Sequence, residues 1–304
     1  MNLKIPKEIK FSNYYKKFNF LSFILILSSI VLLFIKGLNF GVDFKGGTLI
    51  ELRVDKLNVK ISDIRYSLLK MELGDVTVKK FGKEGDYLIK IESSNNKPDF
   101  IESINNKLNS DLNSNVNFRR VENVGPKVSS ELLKAGLLAI SLSLAAMLFY
   151  IWIRFEWQFS LGAIIALIHD VIITLGIFSF LSYEINLSIV AAVLTIVGYS
   201  MNDTVVIFDR IRENLKKYSQ LKIAEISNLS TNETLSRTLI TSITTLLALF
   251  SIFIFGGAIL KGFSFAMIAG VIVGTYSSIF VAAPILNYTK VSQKSVVKED
   301  KEIN

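Results

Sequence analysis

Six apolar stretches decide what this chain of 304 residues can fold into. They run over Phe18–Ile35, Leu132–Ile153, Phe159–Leu181, Leu187–Phe208, Thr238–Leu260 and Gly262–Leu286. A hydrocarbon core about 30 Å thick requires ~20 apolar residues in a spanning helix. Helices and closed barrels are the structures that satisfy their own backbone polar groups at that depth. With 51% hydrophobic residues overall, the expected class is a six-helix membrane protein rather than a soluble domain. The first stretch follows Lys16 and Lys17 as a secretory leader would, but its apolar length is too great and no small-residue cleavage site follows. It reads as a retained anchor.

Charge places the segments relative to the membrane. Net charge is +8, and the excess gathers in short connections, where lysine and arginine set topology. An N-terminal arm, residues 1–17, carries Lys4, Lys7, Lys10, Lys16 and Lys17 and is expected to be cytoplasmic. Six crossings then put Arg154, the Arg210–Lys222 connection and the tail 287–304, with Lys290, Lys294 and Lys298, on that same side. The turns Tyr183–Asn186 and Gly256–Lys261 fall on the other. Juxtamembrane anchoring to lipid accounts for the basic balance better than nucleic-acid binding does. Residues 36–131 are near charge balance and long enough to cross regardless of charge, so they are expected outside.

That external stretch reads as a domain between the first helix, 18–35, and a five-helix bundle, 132–286. Thr48, Ile50, Leu52 and Val54 alternate as in a strand, and Ser62 is a candidate cap for a helix reaching about Leu73. Val76–Phe81 and Tyr87–Ile91 read as strands joined by a Gly82–Asp86 turn. Pro98 suits the first position of a second helix burying Ile101, Ile104 and Leu108, and Val116–Val121 closes the set. The order is βαββαβ, the split pattern of a small α+β, ferredoxin-like domain.

Much chemistry is excluded at once. The chain has no cysteine and one histidine, His169, so disulfides, thiolate metal sites and histidine clusters are out of reach. No nucleophile–base pair or phosphate loop stands out, so neither an enzyme, a metal nor a cofactor is expected.

An acid stands where it is expensive. Asp203 interrupts the apolar run Leu187–Phe208, and a carboxylate at such depth costs on the order of 2.5–3.5 kcal/mol on insertion scales. Acids kept there usually face a bundle interior or a path for ions or protons; the alternative is a structural carboxylate bonded to a neighbouring helix. Thr195, Asn202 and Asp209 recur every seven residues beside it, with Tyr199 adjacent. On the next segment Arg237, Thr241 and Thr245 repeat at i, i+4, i+8, with Thr234 and Thr244 near that face. Arg237 is the candidate partner of Asp203, a fixed positive charge; the alternative is snorkelling to headgroups. His169 and Asp170 lie mid-segment, and as neighbours on a helix they are expected to diverge; Asp170 is the better candidate for a proton path and His169 for packing. Gly262, Ala266, Gly270, Gly274 and Ser278 form a small-residue ridge suited to close helix approach.

Several runs then point to a family. Gly198-Tyr-Ser-Met-Asn-Asp-Thr-Val-Val-Ile-Phe-Asp-Arg-Ile-Arg-Glu-Asn214 resembles the fourth-helix signature of the SecF family. Gly41-Val-Asp-Phe-Lys-Gly-Gly47, Val124-Gly-Pro-Lys-Val, Leu167-Ile-His-Asp-Val and Leu235-Ser-Arg-Thr-Leu-Ile-Thr-Ser242 are similar to its other motifs, and the likeness spans nearly the whole chain. The resemblance implies a multi-pass protein of the bacterial cytoplasmic (inner) membrane, both termini cytoplasmic, in the resistance-nodulation-division superfamily. It further implies pairing with a SecD-like subunit at the Sec translocon channel and use of the proton-motive force in late steps of protein export. The emerging unfolded polypeptide would be handled by the external domains. Asp203 would be the family's intramembrane aspartate and Arg237 its arginine, with Asp170 and Thr241 as lesser contributors. Asn202 would belong to the motif; Gly41, Gly46 and Gly47 would form a structural junction, with Asp43 capping or pairing locally. A SecD half, with its own six spans, is absent from this chain, so activity is expected to require that partner. Two other readings stay open: half of a resistance-nodulation-division-type, proton-coupled lipid or drug exporter, and a scaffold without proton flow. Protons and sodium ions are not distinguished by these residues.

Overall fold

The structure, a computed structural model, describes residues 9–56, 58–80, 82–92, 99–218, 220–293 and 296. Lys4, Lys7, Phe81, Pro98, Lys294 and Lys298 lie outside them. Among the described residues, six helical segments are long and apolar enough to cross a membrane. These are α1 (Tyr15–Ile35), α5 (Pro126–Arg154), α6 (Trp157–Leu181), α7 (Leu187–Lys217), α8 (Ile223–Phe255) and a last span from α9 (Gly257–Ser277) through a π-helical turn (Ser278–Ala282) into α10 (Ala283–Tyr288). The chain divides into two compact units, one holding most of the long helices and the other residues Phe40–Ala139 with Glu184–Leu187.

Two helices run well beyond their apolar runs. The connection expected at Arg210–Lys222 is mostly helix: α7 continues to Lys217 and α8 begins at Ile223. The extensions stay ordered because their polar side chains satisfy one another. Arg210 Nε donates to Glu233 Oε2 at 2.6 Å, and Asn214 Nδ2 donates to Ser230 Oγ at 2.9 Å and Glu233 Oε2 at 2.7 Å. Arg212 Nε reaches Glu156 Oε1 at 3.0 Å. Hydropathy reports membrane depth, and these helices outlast it.

The small-residue ridge of the last span sets its register against α7. A Cβ added at Gly270 would lie 2.3 Å from Ile196 Cγ1, and one at Gly274 3.0 Å from Ser200 Cβ. Gly262 meets Ile189. The ridge therefore faces α7 at Ile189, Ile196 and Ser200 in turn, the close approach that small residues permit.

The second unit is built on a four-stranded antiparallel sheet. Its strands are β2 (Gly47–Val54), β3 (Val76–Lys80), β4 (Asp86–Ile91) and β5 (Val116–Val124), in the order β3-β4-β2-β5. Two helices, α3 (Ile61–Leu69) and α4 (Asp99–Leu112), cover one face. Alternation in β2 turns Ile50, Leu52 and Val54 into a core completed by Ile89, Ile91, Ile64, Leu68, Ile104 and Leu108. Helix α3 starts two residues earlier than Ser62 would allow as its cap. Lys60 occupies the cap position, and its N–H donates to the Asp63 carboxylate at 3.2 Å. On the strands, Arg53 grips Asp86 with two bonds, of 2.6 and 2.8 Å. That guanidinium holds the buried Asp86 carboxyl below its ordinary range, helped by the Lys83 N–H and the charge of Arg119.

The entry to this sheet is a tight junction. A two-residue strand, β1 (Asn39–Phe40), pairs with β6 (Glu184–Ile185), and the single turn α2 (Val42–Lys45) follows. The Gly41 N–H donates to the Ile185 carbonyl at 2.8 Å. Asp43 Oδ2 accepts the Leu187 N–H at 2.9 Å, which caps the first residue of α7 from 144 positions away. Lys90 Nζ holds Glu184 at 2.9 Å and the Phe40 carbonyl at 3.2 Å. Gly46 and Gly47 then turn the chain into β2 at φ +79° and +116°. A Cβ at Gly47 would stand 2.5 Å from the Ile91 carbonyl oxygen.

Two outcomes are expected. Gly47→Ala combines a forbidden φ with a backbone clash and should cost ~2 kcal/mol or more; amide hydrogen exchange in β2 and β4 of the full-length protein should accelerate markedly. Because Asp86 has a lowered folded pKa, its contribution is complete above the unfolded value near 4 and is lost as pH falls through the folded one. Arg53→Met should remove about 1.5 kcal/mol at neutral pH and raise the pH at which acid loosens the sheet, as read by exchange across a pH series.

Candidate functional site

The buried face of α7 runs through Ile189, Ala192, Val193, Ile196, Ser200, Asp203, Thr204 and Ile207. Asp203 lies in the middle of it, only 3% exposed. The hydroxyls of Ser242 on α8 and Thr275 on α9 lie against its carboxyl group and are bonded to one another at 2.7 Å. Its Oδ2 is buried without a hydrogen-bond partner. On α8 the buried polar positions are Ser227, Ser230, Thr231, Thr234, Thr238 and Ser242, a helical face of hydroxyls, and Thr238 Oγ1 is also buried without a partner. The seam is thus lined with groups that both donate and accept, around an acid with acceptor capacity to spare.

Arg237 is one residue off that face. It is exposed on α8, acts on Asp203 through space, and makes no ion pair with it: among the described residues the ion pairs lie elsewhere. Thr241 is half-buried and spends its hydroxyl on its own helix, bonding the carbonyls of Arg237 and Thr238 at 3.1 and 3.0 Å. The expected repeat Arg237–Thr241–Thr245 is therefore displaced by about 100° from the stripe that meets Asp203, which is Thr234–Thr238–Ser242. That stripe has the same i, i+4, i+8 spacing in the same run, so the signal was present one residue over. Asn202 and Thr195 are exposed, about a quarter-turn around α7 from Asp203.

A second buried acid is held very differently. Asp170 on α6 is fully enclosed. Its Oδ2 accepts from Ser200 Oγ on α7 at 2.5 Å and from Ser277 Oγ on α9 at 2.7 Å. Its Oδ1 meets His169 Nδ1 at 2.8 Å. The adjacent pair, expected to diverge, comes together because the imidazole is long enough to reach back over the helix surface to the neighbouring carboxylate. The His169 ring stacks on Tyr276, centroids 6.0 Å apart, and the Tyr276 hydroxyl bonds Ser22 Oγ at 2.7 Å and the Phe18 carbonyl at 2.8 Å. One polar network thereby ties α1, α6, α7 and α9. Ser200, Ser277 and Thr275 have no counterpart in the sequence pattern, since a lone hydroxyl in an apolar run carries no signature of its own.

Ser200 and Asp203 sit one turn apart on α7, so both acids address the same stretch of one helix. Asp170 has both oxygens engaged, in three bonds. Asp203 has an open oxygen among hydroxyls and a cation nearby but not locked. A group in the second state can take up and release a small cation; a group in the first is a fixed anchor. The junction glycines and Asp43 belong to the other unit.

Comparisons with known proteins agree over nearly the whole length. Residues 104–292 match the family described as protein export membrane protein SecD/SecF, C-terminal, and residues 31–56 match the SecD/SecF GG motif. The protein translocase subunit SecF of Rickettsia bellii is 47% identical over 286 residues, 93% of this chain and 94% of that protein. The SecF of Rickettsia conorii is 48% identical over 93% of this chain and 92% of its own length. Among solved structures, SecDF of Thermus thermophilus, described as a translocon-associated membrane protein, superposes with a TM-score of 0.85 at 34% identity over 95% of this chain. A SecDF in a super-membrane-facing form gives 0.71 at 31% identity over 99%. The chain spans 40% and 41% of those two longer SecDF chains. Matched from the first-helix junction to the end of the last span, this multi-pass membrane chain belongs to the SecF family of protein translocase subunits.

Proposed function

We propose that this accessory subunit of the Sec preprotein translocase couples cation flow, of protons first, to protein export through Asp203. The observation that carries the reading is the buried Asp203 carboxyl with an unpartnered oxygen in a seam of hydroxyls from α8 and α9. In this scheme Asp203 is the exchanging group, and Arg237 biases it electrostatically, closing on it in one state and withdrawing in another. Asp170, already bound three times, holds α6, α7 and α9 in register around the exchanging acid.

The remaining assignments follow from family and charge pattern. The chain sits in the bacterial cytoplasmic membrane with both termini inside, following the positive charge of its short connections. Residues 36–131 then lie outside, and the order β3-β4-β2-β5 with helices on one face supports a ferredoxin-like domain that handles the emerging polypeptide. A SecD-like subunit supplies the complementary half, consistent with the span of the longer SecDF chains that this one leaves unmatched. No catalytic role is assigned. The lipid- or drug-exporter alternative is not favoured, because the close curated relatives are translocase subunits and the external unit is small.

The two acids separate cleanly on test. In vesicles containing the SecD-like partner and the translocon, Asp203→Asn should assemble normally yet lose the gradient-dependent part of export, since removing a proton-transfer group typically costs about 10²–10⁴-fold. Arg237→Ala should weaken the same component while leaving assembly intact. Asp170→Asn should instead lower thermal stability and yield, by roughly 3 kcal/mol for a broken buried charge network. Full gradient-driven export by Asp203→Asn would overturn the coupling role.

A further inference from the structure

At the end of the bundle where α1 begins and the last span finishes, the ends of several spanning helices enclose a cavity of about 620 Å³. Its walls come from the start of α1, the end of α7, the start of α8 and the segment after α10. Three lysines line it, Lys16, Lys222 and Lys290, and among the described residues no aspartate or glutamate does. Among the described residues these three lysines make no ion pair, whereas Arg210 and Arg212 pair with Glu233 and Glu156.

The cavity is fixed by specific bonds across its rim. The Tyr15 hydroxyl bonds Ser227 Oγ at 2.9 Å, Asn19 Nδ2 donates to the Tyr288 hydroxyl at 3.3 Å, and Gln293 Nε2 donates to the Lys216 carbonyl at 3.3 Å. Its lining is otherwise mixed, with apolar Leu215, Pro284 and Val291 and the rings of Tyr15, Tyr218 and Tyr288 beside polar Ser12, Ser292 and Gln293. Asn287, also on the wall, has a buried Oδ1 without a partner. A volume of this order suits a small-molecule ligand. Clustered lysines with tyrosines at the ends of spanning helices are the pattern of a membrane–water interface, where basic pockets between helices take anionic headgroups.

We infer that this cavity binds the phosphate headgroup of an anionic phospholipid, with Lys16, Lys222 and Lys290 as its cationic ligands and the apolar wall against the glycerol end. Lipid is the source rather than free phosphate because the site combines charge with apolar side chains, and Lys16 and Lys290 directly flank the apolar runs of the first and last spans. Bound lipid would tie the connection between α7 and α8 to the first and last spanning helices.

The test uses the purified full-length chain in neutral detergent, with native mass spectrometry and titration of phosphatidylglycerol, phosphatidylcholine and inorganic phosphate. Phosphatidylglycerol should bind in preference to phosphatidylcholine, more weakly as salt rises. Binding should fall roughly fivefold for each single Lys→Gln change and on the order of 100-fold in the Lys16→Gln/Lys222→Gln/Lys290→Gln variant. A control triple variant on the sheet unit, Lys79→Gln/Lys80→Gln/Lys107→Gln, should bind as the parent does. Equal binding of the two lipids, or undiminished phosphatidylglycerol binding by the cavity variants, would overturn the assignment. Inorganic phosphate binding as tightly as phosphatidylglycerol would overturn the lipid as its source. The single variants keep the test decisive if the triple one fails to fold.

Discussion

Inside a bilayer a polar group must find its partners within the protein, and Asp170 shows what that demand does to a bundle. Its carboxylate takes two serine hydroxyls and an imidazole from three directions. Such bonds form only if α7 and α9 come close enough to α6 for short serine side chains to span the gap. The glycines allow it: at Gly274 even a single methyl would press on Ser200, and at Gly270 on Ile196. Small residues and a buried acid are thus two halves of one device. Without the glycines the serines fall short, and without the serines the acid is stranded at the cost of an unpaired buried charge.

Helix α7 gathers the polar chemistry of the fold along one rod. Its first residue is capped by Asp43, its middle carries Ser200 and Asp203 on the buried face, and its far end is held by Arg210, Arg212 and Asn214 to Glu233, Glu156 and Ser230. A negative cap at a helix N-terminus is favourable to the helix dipole, and the paired charges at the other end protect the extension beyond the apolar run. Asp203, proposed as the exchanging acid, therefore sits on a helix held by side-chain bonds at both ends. Any change in its charge acts on a rigid helix rather than a soft loop.

The six spans were legible because apolar length is a one-dimensional property that needs no knowledge of neighbours. The helical extensions to Lys217 and from Ile223 were not, since they depend on which polar side chain meets which across the hairpin: Asn214 with Ser230 is invisible until the two helices are paired. The βαββαβ order could be read from alternation at Ile50, Leu52 and Val54, whose partners in the core do not matter to the pattern. The site was half legible. Asp203 announces itself by its cost, but its hydroxyl partners required the rotation of α8, and choosing Arg237 as the reference residue turned that helix by one position. His169 and Asp170 show the same limit from the other side, because helix geometry governs where Cβ atoms point and not how far a ring can reach.

That rotation has a consequence for the rest of the assembly. With Thr234, Thr238 and Ser242 turned inward, Arg237 is left exposed on α8, as Asn202 is on α7, on helices long and apolar enough to span. A guanidinium or a carboxamide facing hydrocarbon is unfavourable, and residues of this kind are kept where another protein surface or an aqueous path receives them. The same helix is largely unburied along its apolar length, with Ile240, Ile243, Leu247 and Phe250 open. Apolar side chains are content against lipid; the arginine is not. The polar exposure thus argues for a second helical half against this side of the chain, as the proposed SecD-like partner would provide. It also places the charge that biases Asp203 at that boundary, where the approach of a partner can move it.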